Sequence, residues 1–300
     1  MPRPAAAARH PAQALSLHIG VNRVDPAHYA GWDGPLEACE FDAEDMAALA
    51  RDQQMKPTLL LTKQATRARV LAAIRRAARA LQAGDLLLLT YAGHGGQVRD
   101  VDGDEVDGQD ETWCLFDGQL VDDELYYELS RFAAGTRIVV VSDSCHSGTV
   151  TRDVVPRPPP PGLRPRLMPP AVARRVYDRH QAFYDKVQQR VVEQANKARV
   201  DPDTALAQVG AAGHATQVVG RFQPAVLLIA GCQDNQTAMD GEQNGVFTGE
   251  LLRIWNRGAF AGDYLRLHAQ VRAALPPSQS PNLFTLGDAR SLLVQRPFSI

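Results

Sequence analysis

Short apolar runs alternate along the chain with longer stretches in which apolar side chains recur every three or four residues. The short runs are typical of buried strands and the longer stretches of amphipathic helices. Strands are predicted over 14–22, 57–62, 85–93, 136–144, 225–231 and 282–287. Helices are predicted over 35–54, 65–84, 122–135, 171–198, 245–256 and 262–275. Because strands alternate with helices, the pattern predicts an α/β fold with a mostly parallel central sheet and helices on both faces.

The alternation stops at Thr151, where the composition changes. Residues 155–170 read VPRPPPPGLRPRLMPP, and this density of proline excludes a helix or an inner strand. In the helical stretch that follows, one face is predicted to carry Val172, Val176, Phe183, Val187 and Val191. Four regions are therefore predicted: a flexible N-terminus (1–14), a first fold region (15–150), an insertion (151–224) and a region that completes the same domain (225–300).

The composition narrows the class of protein. A chain of 300 residues can bury a sizeable core, and a net charge of −2 gives no general attraction to nucleic acid or to an anionic membrane. No signal peptide and no apolar run of about 20 residues, the length of a membrane helix, is recognisable. The four cysteines are widely spaced and form no CxxC pair. We therefore expect a cytoplasmic protein with reduced thiols.

Two predicted strands end in turns that carry reactive side chains. YAGHGG (91–96) contains His94, and SDSCHSG (142–148) contains Cys145. If the two strands are neighbours, their carboxyl ends lie at the same edge of the sheet, where ligands bind in folds of this type. A histidine beside a cysteine activates the thiol as a nucleophile, and backbone N–H groups of Gly95 and Cys145 are placed to stabilise an oxyanion. The neighbouring His146 is interpreted as a loop residue.

The other three cysteines carry a weaker signal. A lone cysteine after an apolar strand is most often a small buried hydrophobic side chain, and we expect this of Cys39, Cys114 and Cys232. Cys145 differs because polar residues flank it on both sides. A reactive role is therefore predicted for Cys145 alone.

The motifs around His94 and Cys145 resemble those of the caspase-like cysteine peptidases, and most closely the metacaspases. Three further stretches resemble the same family: LEACEFDAEDM (36–46), DGDEVDGQDETWCLFD (102–117) with VDDEL (121–125), and LLIAGCQDNQTAMDGEQNGVFTGELL (227–252). The resemblance covers about 15–150 and 225–290. It implies a caspase-like three-layer sandwich, in which 15–150 is the large-subunit region and 225–300 the small-subunit region.

The resemblance also implies an activity and a site. Cys145 would be the nucleophile and His94 the acid/base of a dyad that hydrolyses peptide bonds after arginine or lysine. Asp42 and Asp143 match the substrate-binding aspartates of the family, and carboxylates there favour a guanidinium and repel an aspartate. Alternatively, Asp42 is a solvated helix residue and Asp143 a capping carboxylate. One departure is Ala92, where metacaspases often have serine.

Calcium is a further implication of the resemblance. Asp110, Asp122 and Asp123 match calcium ligands of the family, and hard oxygen ligands suit Ca²⁺. A fourth aspartate would fall on Arg152, although Asp153 is adjacent. The acidic stretch 100–111 fits an EF-hand poorly, since Glu105 stands where glycine is required. The alternative for all these residues is a solvated acidic loop.

The insertion is itself a candidate substrate for an arginine-directed peptidase. It carries Arg152, Arg157, Arg164, Arg166, Arg174 and Arg175. An exposed, proline-rich linker is a preferred site of proteolysis, so self-cleavage within 151–224 is predicted. The alternative is an uncleaved insert whose helix packs over the sheet.

These predictions describe a monomeric cysteine endopeptidase that acts on proteins or peptides with a basic residue before the cleaved bond, and the resemblance implies that calcium activates it. It would need no organic cofactor and have no nucleic-acid or membrane partner. Two alternatives stay open: a hydrolase of the same clan with another pocket preference, and a catalytically silent caspase-fold protein that responds to calcium as a binding or regulatory protein. Fold and motif alone do not separate them.

Overall fold

Eleven strands are present in the described part of the computed structural model, which covers residues 11–101, 108–145, 162–197, 222–233, 236 and 238–300. The strands are β1 (Ala14–Gly20), β2 (Lys56–Leu61), β3 (Leu86–Ala92), β4 (Gly95–Arg99), β5 (Gln109–Leu115), β6 (Gly118–Val121), β7 (Arg137–Asp143), β8 (Arg164–Pro165), β9 (Ala225–Ala230), β10 (Met239–Asp240) and β11 (Asn282–Leu286). Six of them form the central sheet in the order β11-β9-β7-β3-β1-β2. All neighbours are parallel except β11, which is antiparallel to β9.

Helices cover both faces of this sheet. They are α1 (Cys39–Asp52), α2 (Arg67–Ala80), α3 (Asp122–Ser130), α4 (Pro170–Lys197), α5 (Val246–Trp255), α6 (Tyr264–Ala274) and α7 (Arg290–Leu293), with short 3₁₀ turns at Thr62–Gln64 and Asn256–Gly258. Along β3, Leu87 and Leu89 join one apolar cluster with α2, α3 and α4, whereas Leu86 and Leu88 join another with α1, α5 and α6. The predicted three-layer α/β sandwich is confirmed.

Local sequence explains why the helices begin where they do. Thr66 accepts a hydrogen bond from the Arg69 amide at the start of α2, and Asp263 accepts one from the Arg266 amide at the start of α6. Each side chain satisfies an amide that the first helical turn leaves without a partner. None of the described helices is long and apolar enough to cross a membrane.

A second, three-stranded sheet of β4, β5 and β6 follows directly after His94 and was not among the predicted strands. These strands are short and carry glycine, glutamine and acidic residues, so they have little apolar periodicity. Long-range packing holds them in place: Val98, Trp113 and Leu120 are buried in the same cluster as α4. The helix of the insertion therefore packs on this small sheet and on α3.

One predicted core residue is placed wrongly by the helical pattern. Phe183 is 44% exposed, whereas its neighbour Tyr184 is fully buried. The backbone of α4 departs from helical geometry at His180 (φ −118°, ψ 18°), which rotates the following turn. After this kink the buried face carries Tyr184, and the Phe183 ring instead lies 5.2 Å from the Arg67 guanidinium carbon. The other predicted members of that face, Val172, Val176, Val187 and Val191, are buried.

Candidate active site

The two turns with reactive side chains lie next to each other. β3 and β7 are parallel neighbours, and Ala92 pairs with Asp143 at their carboxyl ends. His94 and Cys145 each follow two residues after this pair. The backbones come very close here, because a Cβ atom on Gly95 would lie 1.5 Å from the Cys145 carbonyl oxygen. Glycine is therefore required at this position.

The orientation of the His94 ring leaves one nitrogen available as a base. Its Nε2 atom lies 3.1 Å from the Gly34 carbonyl oxygen. Since a carbonyl oxygen accepts only, Nε2 carries the proton and donates it. Nδ1 is buried and has no hydrogen-bond partner among the described residues. Trp32 packs on the ring with a centroid separation of 4.8 Å. Gly34 and Trp32 thus hold the imidazole with the Nδ1 lone pair unused.

A segment of the insertion, Arg164–Met168, runs through the cleft between the two turns. β8 pairs in the antiparallel direction with β10. The Arg166 amide donates to the Ala238 carbonyl oxygen at 2.9 Å, and the Met168 amide donates to the Gly95 carbonyl oxygen at 2.8 Å. The segment is held by main-chain hydrogen bonds on both sides of Arg166, which is the way an extended peptide is recognised at a strand edge.

The carbonyl group of Arg166 meets the two amides that were predicted to stabilise an oxyanion. Its oxygen accepts hydrogen bonds from the Gly95 amide at 3.0 Å and from the Cys145 amide at 3.2 Å. On the other side of this carbonyl, Leu167 packs against a small cluster that contains Cys145. The bond between Arg166 and Leu167 therefore lies beside the candidate nucleophile, with its carbonyl already polarised.

The side chain of Arg166 is fully buried among three carboxylates. Its Nη2 atom lies 2.5 Å from Asp42 and 2.8 Å from Asp240, and its Nη1 atom lies 3.0 Å from Asp143. Its Nε atom lies 3.2 Å from Asp240. The predicted pocket residues Asp42 and Asp143 are thus brought together, and they bind a guanidinium of the same chain.

Residues at the start of α5 hold two of these carboxylates in place. Asp42 accepts hydrogen bonds from the Asn244 side chain at 3.1 Å and from the Gly245 amide at 3.0 Å. Asp143 accepts from the Thr248 hydroxyl at 2.7 Å. Burial raises the pKa of Asp42 to about 6, although the Arg166 guanidinium opposes the shift. The cost of burying this charge is therefore met only in part by its ion pair.

The filled cleft changes the protonation state expected for the dyad. Burial raises the pKa of the Cys145 thiol well above its ordinary value, and burial lowers the pKa of His94 to about 4. Cys145 Sγ accepts a hydrogen bond from the Ala238 amide at 2.7 Å. Cys145 was expected to be reactive, whereas here it is fully buried in a cluster with Cys232 and Ala238, against which Leu167 of the insertion packs. With the segment in place, the pair is a neutral thiol and a neutral imidazole.

The three predicted calcium ligands lie on two neighbouring elements, because Thr112 of β5 pairs with Val121, the residue that precedes α3. Asp110 lies at the start of β5, and Asp122 and Asp123 begin α3. Their carboxylates have the right chemistry for Ca²⁺. However, no group of three or more His, Cys, Asp or Glu side chains suited to a metal occurs within the ranges that the structure describes. Calcium binding at these residues therefore stays a prediction, and no chemical step is assigned to calcium.

Several predicted features fall outside the described residues. They are His146, the half of the acidic stretch 100–111 that spans 102–107, and Arg152 with Asp153. Two residues of the site were not predicted as pocket residues. Nothing in the sequence around Asp240, within the stretch 227–252, indicates that this residue is buried. Arg166 was one of six arginines of the insertion that the sequence did not distinguish. Cys39, Cys114 and Cys232 are buried free thiols, as expected.

Fold and site together define a caspase-fold protein with the arrangement of a cysteine hydrolase, and comparisons with known proteins agree. The family model described as the caspase domain matches residues 23–290. Metacaspase-1 of Schizosaccharomyces pombe is 31% identical over 292 residues, which cover 89% of this chain and 66% of that protein. Metacaspase-1 of Eremothecium gossypii is 31% identical over 69% of this chain and 46% of its own length. The chain therefore belongs to the caspase-like peptidase family that includes the metacaspases.

Solved structures extend the comparison. A crystal structure of a Geobacter sulfurreducens protein is 46% identical, with a TM-score of 0.80, over 96% of this chain and 99% of that one. Caspase-1 of Spodoptera frugiperda is only 11% identical but has a TM-score of 0.54 over 96% of this chain and 90% of its own, so it supports the fold alone. The chain spans about two thirds or less of the length of the curated metacaspases cited above.

Proposed function

We propose that the protein is a cysteine endopeptidase that cleaves protein or peptide substrates after a basic residue. The observation that carries this proposal is the position of Arg166. Its side chain is buried among acidic residues, and its carbonyl oxygen accepts hydrogen bonds from the Gly95 and Cys145 amides. A substrate arginine held in the same way would present its carbonyl carbon to the Cys145 sulfur.

The side chains of the site can then carry out the reaction in two stages. His94 Nδ1 takes the thiol proton of Cys145, and the sulfur attacks the carbonyl carbon. The negative charge on the carbonyl oxygen is stabilised by the Gly95 and Cys145 amides, each worth about 10²–10³ in rate in comparable enzymes. His94 gives its proton to the departing amine, which leaves a thioester. Water, deprotonated by His94, hydrolyses the thioester and restores the thiol.

We further propose that the chain cleaves itself between Arg166 and Leu167. This deepens the prediction of self-cleavage in the insertion by selecting one arginine of six. The contacts of the Arg166 side chain and carbonyl with the pocket support it. After cleavage the new N-terminus at Leu167 would remain tethered by α4, which packs on the small sheet.

The decisive experiment uses matched fluorogenic peptides that end in arginine, lysine or aspartate. The full chain, Cys145→Ala and His94→Ala are compared. We expect cleavage of the basic peptides only, with losses of at least about 10³-fold in both variants. Cleavage after aspartate would overturn the pocket assignment but not the dyad. No cleavage of any peptide by the freshly purified or the processed chain would favour the catalytically silent alternative.

Calcium activation is retained as a proposal that rests on the resemblance and on the carboxylate chemistry of Asp110, Asp122 and Asp123. Its test is isothermal titration of Cys145→Ala with CaCl₂, together with Asp123→Asn in the same background. Binding at millimolar or lower concentration that is lost in the double variant would support a site at these residues. Equal heats for both proteins would contradict it. The cytoplasmic location and the monomeric state stay predictions from the sequence.

A further inference from the structure

We infer that Asp240 makes the pocket selective for arginine over lysine, because it accepts a hydrogen bond from the arginine Nε atom. This inference rests on the proposed peptidase function and adds a residue that determines its specificity. It differs from the general preference for a basic residue, which any of the three carboxylates would favour. It concerns a choice between two cations of equal charge.

The three carboxylates contact different parts of the Arg166 guanidinium. Asp42 and Asp143 lie against the terminal nitrogens Nη2 and Nη1. One oxygen of Asp240 lies 3.2 Å from Nε and 2.8 Å from Nη2. Asp240 therefore faces the Nε/Nη2 edge of the guanidinium, and a lysine side chain has no nitrogen at the position of Nε.

The second oxygen of Asp240 is fixed by the protein. It accepts a hydrogen bond from the Glu37 amide at 2.7 Å, and the Ala38 amide lies 3.3 Å from the first oxygen. The side chain is 2% exposed. A carboxylate held in this way cannot reorient toward the smaller ammonium group of a lysine. It also lies on β10, the strand that pairs with the bound segment, so one strand contacts both the backbone and the side chain of the peptide.

Lysine in this pocket would leave part of the charge of Asp240 without a partner. Its ammonium carries three donors at a single point, and they are shared most easily with Asp42 and Asp143 near the end of the pocket. Asp240 would then keep a buried negative charge that is compensated by neutral donors, the amides of Glu37 and Ala38 and the Cys39 thiol. An uncompensated buried charge is costly, and this cost would be paid only by the lysine substrate.

Asp240 has a structural role as well, which any test must separate from recognition. The amides of Glu37 and Ala38 immediately precede α1, and Ala38 offers no side-chain cap. Asp240 therefore also satisfies amides at the beginning of this helix. If that were its whole contribution, its replacement would weaken cleavage after arginine and after lysine by the same factor.

The experiment measures kcat/KM of the self-processed full chain for three peptides that differ only in the residue before the cleaved bond. The residues are arginine, lysine, and an arginine analogue in which Nε is replaced by a methylene, so that a charged planar amidine remains. Wild type and Asp240→Asn are compared. Asparagine carries no charge. Its side chain has a single oxygen to accept hydrogen bonds from both the arginine guanidinium and the amides of Glu37 and Ala38.

For wild type we expect arginine to be preferred over both other residues by about 10- to 100-fold, the range of one or two charge-assisted hydrogen bonds. In Asp240→Asn the preference for arginine over lysine and over the amidine should mostly disappear, because arginine loses the acceptor for Nε and lysine no longer leaves a buried charge uncompensated. A control is Glu37→Gln, which alters an exposed side chain next to the same amide and should leave all three ratios unchanged.

Each other outcome is informative. Equal losses for the three peptides in Asp240→Asn would overturn the inference and leave Asp240 as a structural residue. Wild-type kcat/KM values that do not distinguish arginine from the amidine analogue would also overturn it, even if the variant failed to fold. No cleavage after either basic residue would instead refute the proposed function.

Discussion

The carbonyl oxygen of Arg166 lies 3.2 Å from the amide nitrogen of Cys145, the proposed nucleophile. The two residues belong to different regions of the sequence, since Cys145 ends a strand of the central sheet and Arg166 lies in the insertion. The same oxygen is 3.0 Å from the Gly95 amide. The chain thus occupies its own cleft in the position that a substrate would need. Four predictions follow from this arrangement and from the way the insertion is attached.

The active chain should cleave itself after Arg166 and not after the nearby Arg164. Arg166→Gln removes the cation from the pocket and should abolish the cut. Arg164→Gln should leave it intact, because Arg164 is half exposed and pairs with Glu37 at the surface. Intact-mass spectrometry and N-terminal sequencing would detect a fragment that begins at Leu167. A cut elsewhere in the insertion of Arg164→Gln, or cleavage in Cys145→Ala, would contradict self-processing at this bond.

Cys145 should react slowly with iodoacetamide while the segment fills the cleft, because burial raises the thiol pKa. In Arg166→Gln three buried carboxylates lose their cation, and breaking such an interaction costs about 3–5 kcal/mol. The segment should then leave, and alkylation of Cys145 should become at least about tenfold faster. Peptide mapping of uncleaved chains at pH 7 gives the rate.

Arg164→Gln is the matched control for this labelling experiment, since it lies in the same segment but outside the pocket. Its Cys145 should react as slowly as that of the uncleaved wild type. If Arg166→Gln were equally slow, the segment would be held by its main-chain hydrogen bonds, and the buried ion pairs would not be what keeps it in place.

Gly34 should be required for catalysis through the orientation of His94. It has φ +50°, and a Cβ atom there would lie 2.7 Å from the Trp32 ring and 3.0 Å from His94 Nε2. Gly34→Ala should displace the imidazole and lower kcat by about 10²-fold, the usual size of a general acid–base contribution, with little change in KM. Steady-state kinetics on the arginine peptide measure both values.

Gly31→Ala separates this effect from backbone strain. Gly31 has φ +90°, but nothing lies within 4 Å of its hypothetical Cβ atom. Its replacement should cost stability by about 1 kcal/mol and leave kcat close to wild type. Equal loss of kcat in the two variants would mean that strain in this loop, and not contact with His94, is responsible.

The attachment of α4 should weaken in acid through His28. The His28 ring stacks on His180 with a centroid distance of 4.1 Å, and its Nε2 atom lies 2.8 Å from the Tyr184 hydroxyl. Burial, followed by the proximity of His180, lowers the pKa of His28 to about 4. Its ordinary value is 6.5, so the unfolded chain binds more protons between these two values. The free energy of unfolding should therefore fall as the pH decreases from about 6.5 to 4.

His28→Phe keeps a stacking ring but cannot titrate. Between pH 7 and pH 5 it should lose about 1 kcal/mol less unfolding free energy than wild type, a value reduced to allow for partial exposure. Urea unfolding in the inactive Cys145→Ala background, which avoids self-cleavage, measures the difference. Identical pH slopes for the two proteins would show that His28 is not linked to stability.

The sequence alone determined the central sheet and the positions of the two turns that carry His94 and Cys145. The strands Leu86–Ala92 and Arg137–Asp143 are recognisable because they are buried on both faces. A strand of this kind appears in the sequence as a run of consecutive apolar residues. Parallel pairing then brings their carboxyl ends to one edge, so the turns that carry His94 and Cys145 lie side by side.

Only the tertiary structure decided which groups complete the site. Asp240 and Arg166 are joined across 74 positions of the chain, and each stands in a polar stretch that is typical of an exposed loop. The two-residue strands β8 and β10 have no hydrophobic period that could predict their pairing. Their placement depends on a balance of buried charges, because one guanidinium must compensate carboxylates contributed by three distant segments. The guanidinium and the carboxylates compensate one another only after the chain has folded and brought those segments together. A local sequence pattern therefore cannot predict this contact.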